Sequence, residues 1–413
     1  MLIFNIILKI NTPAFSFTPM YHCSPEAPAR LHHLDALRAG AMLLGIALHA
    51  MLAYAGIPWV PQDPVSSDLL GLAFAAIHGF RMPLFFLLSG YFTGLLWERR
   101  GIGTMLRHRA ARVAVPLGLC LFTVLPLHWA AMWWASSGDA PRWLLAQAQA
   151  MGPVEGMMVF PFFGHLWFLW FLCWLTLAFA LLAPLVEWCT LRLHSGRPAK
   201  RRDLLLATPL ALLWLVPLTA LTSIPMYGFG TQPGFGPETS AGIFPMPHVL
   251  GYFAVFFGFG ALAAAMPQAM HGLGRGWWLT LPAACLIFPF ALGFSVQATE
   301  LALLVPNPAT RRIASLVGQS AYAWLASMGA IGLCGALIKR ERPNVRWMAD
   351  ASYWMYLGHL PLVIALQTLL LPVAMGPFAK SAAVLAATTA VLLMAYRLVV
   401  RDSWVGRLLN VPK

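Results

Sequence analysis

A series of long apolar runs constrains the fold of this chain more than any other feature. Ten such runs are separated by short polar or basic segments. A helix of about 20 residues crosses a ~30 Å hydrocarbon core, and helices satisfy their backbone hydrogen bonds internally in lipid. We therefore predict an all-α fold, a polytopic membrane helix bundle of about ten transmembrane helices. The predicted spans are Ala36–Ile57, Leu69–Trp97, Val113–Ala135, Phe163–Leu191, Leu204–Ile224, Pro247–Met266, Trp277–Val296, Ile313–Ile338, Ser352–Leu371 and Ala382–Val400.

The charge pattern agrees with a membrane bundle and predicts its orientation. Only 10% of the 413 residues are charged, whereas a soluble domain carries about 25% charged residues. The net charge of +13 could indicate a nucleic-acid partner, but the arginines fall in short segments between apolar runs, as the positive-inside rule describes. We expect the lipid bilayer as a partner and no nucleic acid. Most of the 27 Lys and Arg residues lie on one side, which predicts a multi-pass inner (plasma) membrane protein with both termini cytoplasmic.

The chain divides into two parts of unequal length. Residues 1–30 are expected to form an N-terminal extension, with disorder as one interpretation, and residues 31–410 the transmembrane domain. The first ten residues lack a basic segment and a clear cleavage site, so we predict no signal peptide; Met20 is a second candidate start. The six cysteines form no CxxC pair, which indicates neither a zinc site nor a disulfide framework.

His49 is an ionisable residue inside the first apolar run, with Arg38 near the start of that run. Charged or titratable groups in hydrocarbon are costly and often mark function. The spacing of eleven residues puts both side chains on one helix face, about 16.5 Å apart along the axis. One interpretation makes His49 a general base or nucleophile and Arg38 a phosphate contact. The other makes His49 a packing residue and Arg38 a membrane-surface anchor.

Arg109 and Arg112 follow the second run in the segment RHRAARVAVP. They are one helical turn apart, so their side chains can converge, and guanidinium groups suit bidentate phosphate contacts. The alternative is an ordinary cytoplasmic basic loop that touches anionic lipid.

Arg81 lies inside the second apolar run, three residues after His78. It precedes Arg99 by 18 residues, about 27 Å along a helix, which places it in the outer half of the membrane. An arginine at that depth needs a partner or a water-filled cavity. Snorkelling to the outer surface is the alternative.

Three more candidates lie in HLWFLW and SYWMYLGHLPL. His359 follows Asp350 by nine residues, which gives a depth of about 13.5 Å, close to that of His49. Tyr356 precedes His359 by one turn, and His165 lies near the outer end of its run. Core packing and a role in a site are both open for His359.

Taken together, these segments resemble the membrane acyltransferase-3 family. The matching features are LDALRAGAMLLGIALH, FRMPLFFLLSGYF, RAARVAVP, HLWFLWFL and ASYWMYLGHLPLV, in family order over about residues 30 to 410. The segments YRLVVRDSWVGRLLN and FRMPLFFLLSGYF look most like the branch that includes glucan biosynthesis protein C, a periplasmic glucan succinyltransferase. The resemblance implies transfer of an acyl group, succinyl or acetyl, from a cytoplasmic acyl-CoA co-substrate to a carbohydrate on the periplasmic side, without a tightly bound cofactor.

The resemblance also assigns roles to residues. His49 and Arg38 match the family's essential first-helix histidine and its partner, and Arg109 and Arg112 match the basic motif that meets the donor. The depth estimates add Arg81, His165, Tyr356 and His359 as candidate substrate-binding residues, and no metal ligands are predicted. The rival hypothesis is a polysaccharide or glycolipid transporter or flippase without acyl transfer, since it too would have many spans and buried His and Arg residues.

Overall fold

The computed structural model describes residues 32–193, 208–227, 234–266, 269–295, 305 and 307–409. The predicted N-terminal extension and the start of the fifth predicted span lie outside these residues. Within the described part the regular structure is helical throughout, with no strand, which confirms the all-α membrane bundle. Nine helices in that part are long and apolar enough to cross a membrane.

Fifteen α-helices can be named in the described residues, together with shorter 3-10 and π segments. The helices are α1 His32–Leu52, α2 Asp68–Arg109, α3 Val115–Phe122, α4 Val124–Ala135, α5 Asp139–Ala150, α6 Pro153–Val159, α7 Trp167–Leu193, α8 Leu212–Ser223, α9 Pro247–Ala264, α10 Ala269–Gly274, α11 Trp277–Ser295, α12 Pro308–Leu337, α13 Pro343–Leu370, α14 Pro377–Ala395 and α15 Trp404–Leu409. π-helical turns at Ala110–Ala114 and Tyr396–Val400 follow α2 and α14.

Helix α2 reverses its direction at Gly101. That residue has φ 73° and ψ 169°, outside the helical region, in a conformation that glycine adopts without strain. Arg109 Nη2 then donates to the carbonyl of Ser89 at 2.8 Å, although the residues are 20 positions apart. A straight helix would separate them by about 30 Å, so the segment after Gly101 folds back along the span.

The third predicted span, Val113–Ala135, is not one continuous helix. Thr123 has φ −121° and ψ −68° and separates α3 from α4. Pro126 follows three residues later and has no N–H to bond the carbonyl one turn earlier, which weakens a helix at this point. The helical path also begins well before Val113, since a π turn at Ala110–Ala114 joins it to α2.

The first predicted span, Ala36–Ile57, was too long at its outer end. Helix α1 ends at Leu52, and the loop that follows contains Gly56, with φ +67°, and Pro58, both of which oppose a continuing helix. Asp63 in this loop pairs with Lys380 of α14 at 2.6 Å, and both side chains are buried. The loop is therefore fastened to the bundle by an ion pair that the sequence did not reveal.

Helix α1 lies in the interior of the bundle, which positions the site. It packs against α2, α12, α13 and α14. Helices α2 and α9 approach so closely that a Cβ at Gly90 would overlap the carbonyl oxygen of Phe257. This contact sets how closely α2 packs against α9, since only glycine permits backbones to come this near.

Candidate active site

Two histidines from helices α1 and α13 form the centre of the candidate site. His49 Nδ1 lies 3.2 Å from His359 Nε2, and the ring centroids are 4.9 Å apart. His359 is buried, whereas His49 is only partly buried. The structure therefore brings together two residues that the sequence placed at similar depth.

The carbonyl partners of these rings determine which nitrogens carry hydrogen. His359 Nδ1 lies 2.7 Å from the carbonyl of Tyr356, and His49 Nδ1 lies 2.8 Å from the carbonyl of Gly45. Carbonyl oxygens only accept, so both Nδ1 atoms are donors. His359 Nε2 then has a lone pair that faces the Nδ1–H of His49. In the neutral pair, the lone pair at Nε2 of His49 is left for substrate.

Gln367 and Trp59 hold the end of α1 around His49, and the sequence did not single out either residue. Gln367 is fully buried, and its Nε2 donates to the carbonyl of His49 at 2.8 Å. Its Oε1 accepts from Trp59 Nε1 at 3.0 Å. The Trp59 ring lies 6.2 Å from the His49 ring. A buried amide with both ends bonded fixes the local backbone, and here it fixes the backbone that carries His49.

Arg81 lies against the same turn of α1. A Cβ at Gly45 would overlap Arg81 Nη1 and lie 3.3 Å from its Cζ. Its Nε is buried and bonds to no group in the described part of the chain. Among the described residues no carboxylate forms an ion pair with Arg81. A buried cation without a partner is costly, and an anion that binds beside it lowers this cost. The Arg81 guanidinium can therefore bind a negatively charged group near His49.

His165 and Tyr356 join the cluster on its other side. His165 Nε2 donates to the carbonyl of Leu357 at 2.9 Å, and the Tyr356 hydroxyl donates to the carbonyl of His165 at 2.8 Å. The rings of His165 and His359 are 5.1 Å apart. These two residues thus link the start of α7 to α13 and pack against His359.

The three other predicted arginines lie on several elements. Arg38 pairs with Asp35 at 3.4 Å and stays well exposed. Arg109 lies close enough to Arg38 for their charges to interact, whereas Arg112 Nη1 donates to the carbonyl of Leu408 at 2.7 Å. Arg109 and Arg112 therefore bond to carbonyls of different helices. Each bond uses one of five guanidinium N–H groups, so both can still contact an anion.

The sequence interpretation missed two kinds of residue in the site. Gly45 gives no signal in a sequence because its role is to leave room for Arg81. Trp59 and Gln367 bond to each other, and Gln367 also bonds to the backbone at His49, at separations in the chain that periodicity does not reveal. No group of three or more possible metal ligands occurs in the residues that the structure describes.

Comparison with known proteins identifies the family. The model of the acyltransferase domain matches residues 31–397. Glucans biosynthesis protein C of Escherichia coli O1:K1 is 24% identical over 344 residues, which cover 83% of this chain and 84% of that protein. The protein of the same name in Salmonella heidelberg strain SL476 is 26% identical over 83% of this chain and 84% of its own length.

A shorter match has higher identity. Glucans biosynthesis protein C of Escherichia coli K12 (DH10B) is 33% identical over 146 residues, or 35% of this chain and 37% of that protein. No solved structure gives a significant match. Together with the helical bundle and its nine candidate spans, the family match shows that this chain belongs to the acyltransferase-3 family and is a multi-pass membrane acyltransferase.

Proposed function

We propose that this enzyme transfers an acyl group from acyl-CoA at the cytoplasmic face to a carbohydrate hydroxyl, on a glucan, at the periplasmic face. The observation that carries the proposal is the geometry of His49. Its Nδ1–H is held by Gly45 and His359, its Nε2 has a free lone pair, and the Arg81 guanidinium lies beside it. Acyl transfer to a hydroxyl requires a base, a group that orients the base and a cation, all within one cluster.

In the proposed step, His49 acts as a general base. Its Nε2 takes the proton of the acceptor hydroxyl as the oxygen forms a bond to the thioester carbonyl carbon. The carbon–sulfur bond then breaks, and the proton on Nε2 passes to the departing thiolate, so His49 returns to its neutral form. During this step the lone pair of His359 Nε2 and the carbonyl of Gly45 stabilise the protonated ring through Nδ1–H, as a carboxylate does in a serine hydrolase triad.

The Arg81 guanidinium is proposed to bind negative charge that the substrates bring to His49. The thioester carbonyl oxygen becomes negative as the hydroxyl adds, and a fixed cation stabilises such charge strongly in surroundings of low polarity. A succinyl group adds a second anion, its free carboxylate, which also needs a cation there. We propose succinyl as the acyl group and acetyl as the alternative.

The donor is proposed to enter where Arg38 and Arg109 approach each other. The positive charges of Arg38 and Arg109 interact unfavourably, and the phosphates of coenzyme A would supply an anion that offsets this repulsion. Arg112 lies further along the same basic segment. This end of the bundle is assigned to the cytoplasm of an inner-membrane protein with both termini inside, in agreement with the positive-inside rule.

A transporter or flippase is the competing function for a bundle with buried His and Arg residues. Transport requires neither a base oriented by a second ring nor an arginine cluster aligned with it. The test uses sealed proteoliposomes with acyl-CoA outside and a glucan oligosaccharide inside. Mass spectrometry of the enclosed sugar should show the acyl adduct, and free coenzyme A should appear outside in equal amount. Sugar that crosses the membrane unmodified would support transport and overturn the proposal.

A further inference from the structure

A second concave site lies near the start of α2, apart from the histidine cluster. A cavity of about 490 Å³ opens there between α2 and the segment 234–239. The polar and aromatic residues in its wall are Asp68, Phe74, His78, Phe235, Glu238 and Thr239. Cavities of this volume, mostly apolar with a few polar groups, are typical of small-ligand sites.

The charges of this cavity select against phosphates and other anions. Two carboxylates, Asp68 and Glu238, lie in its wall, and among the residues that the structure describes no Lys or Arg lines it. Glu238 Oε2 accepts from His248 Nε2 at 3.2 Å, so the carboxylate has a defined orientation. Carboxylates repel anions and accept hydrogen bonds from neutral hydroxyl groups. The cavity therefore cannot serve the donor, whose phosphates suit the arginine cluster.

His78 connects the cavity to the histidine cluster. Its ring lines the cavity and stacks on Phe74 at 5.2 Å. Its Nε2 donates to the carbonyl of Pro237 at 3.1 Å, which fastens the segment 234–239 over α2. Arg81 follows one turn later on the same helix. The Arg81 side chain contacts Gly45, whose carbonyl bonds to His49 Nδ1, so one stretch of α2 joins the cavity wall to the reacting centre.

We infer that this cavity binds the acceptor, as a short stretch of uncharged oligosaccharide. Phe74 offers a ring surface for the C–H face of a sugar, and Asp68, Glu238 and Thr239 offer acceptors for its hydroxyls. This inference rests on the proposed function, since it places the acceptor hydroxyl on the side of His49 that faces Arg81 and His78.

The test measures binding directly, without acyl transfer. The purified full-length protein is titrated with an uncharged glucose oligosaccharide and with the same oligosaccharide carrying one phosphate. We expect the uncharged sugar to bind at least about tenfold more tightly. Glu238→Gln should weaken it by about tenfold, the factor for one lost hydrogen bond to a charged group, and should narrow the discrimination against the phosphorylated sugar. Glu155→Gln, at an exposed carboxylate of α6, is the matched control. It should change neither the affinity for the uncharged sugar nor the discrimination against the phosphorylated sugar.

The outcomes separate this inference from the proposed function. Binding that is indifferent to Glu238→Gln, or equal for the two sugars, would overturn the assignment of the cavity. Selective binding by a protein that transfers no acyl group would leave the cavity assignment standing and overturn the proposed function. Acyl transfer whose KM for the glucan is unchanged in both Glu238→Gln and Phe74→Leu would overturn the cavity assignment alone.

Discussion

His49 and His359 meet through ring nitrogens 3.2 Å apart, although 310 residues separate them in the chain. Helix α13 contacts α1 again two turns later, where Gln367 donates to the carbonyl of His49 at 2.8 Å. One helix thus fixes both the ring and the backbone of His49. The direction of its free nitrogen depends on α13, which makes substitutions on α13 informative about catalysis.

Removing the His359 ring should slow acyl transfer without unfolding the protein. His359→Leu leaves the Nδ1–H of His49 without its second acceptor, and we expect kcat to fall by roughly 100-fold, within the usual range for disturbed acid–base catalysis. His359→Gln should retain more activity, because an amide oxygen can accept the same hydrogen bond. Initial rates decide the matter, with His271→Leu at an exposed position as the control. Equal rates for His359→Leu and the unsubstituted protein would exclude the proposed pair.

Gly45→Ala should leave the stability of the protein intact but lower its activity. A Cβ there would overlap the Nη1 end of Arg81, a flexible group that can move away, and alanine favours a helix over glycine by about 1 kcal/mol. We therefore expect an unchanged or higher Tm and a fall in kcat of up to about 100-fold, as for an active-site group displaced by about 1 Å. Gly40→Ala is the matched control on the same helix, since a Cβ there meets nothing within 4 Å. If both variants were fully active, Arg81 would have no part in the reaction.

These residues show which parts of the site a sequence can reveal. His49 and Arg81 could be found because an ionisable group within an apolar run is unusual whatever its surroundings. Gly45 and Gln367 could not, because their roles depend on groups that approach from α2 and α13, and nothing in their own segment indicates the approach. The helix break at Thr123 could have been predicted from Pro126. The uniformly apolar composition of the run led to the prediction of a single span instead.

The depth estimates succeeded where the chain is a single helix and failed where it is not. His359 was placed level with His49 from its distance to Asp350, and the ring nitrogens of the two residues are 3.2 Å apart. The apolar run 113–135 was interpreted as one span, whereas the structure has a π turn and two helices, α3 and α4, in succession there. Counting residues gives a depth only when the rise per residue is constant, which is the case in an unbroken α-helix.

Arg81 offers a test of the acyl group. If the guanidinium binds the free carboxylate of a succinyl group, Arg81→Met should lower succinyl transfer at least about tenfold more than acetyl transfer, since a lost charged hydrogen bond costs about 1.5–3 kcal/mol. If it stabilises only the thioester oxygen, both transfers should fall equally. Competition between the two acyl-CoA donors in one reaction measures the ratio directly. An unchanged ratio would remove the argument for succinyl but leave the role of Arg81 toward the thioester oxygen.

The ion pair between Asp63 and Lys380 should govern stability rather than chemistry. Both side chains are buried, at 2% and 4% exposure for Asp63 and Lys380. Lys380→Met leaves a carboxylate buried without its cation, which costs about 3–5 kcal/mol in such pairs. We expect a clearly lower Tm for this variant in detergent, and recovery of much of the loss when Asp63→Asn is added. A double variant as unstable as the single one would show that the charges do not compensate each other.

The most direct test of the account is the rate of acyl transfer by His49→Gln in sealed proteoliposomes, with acyl-CoA outside and a glucan oligosaccharide inside. The account predicts a loss of at least roughly 100-fold, together with a Tm close to that of the unsubstituted protein and undiminished binding of the uncharged oligosaccharide. Transfer at the full rate by this folded variant would contradict the claim that the free nitrogen of His49 is the base.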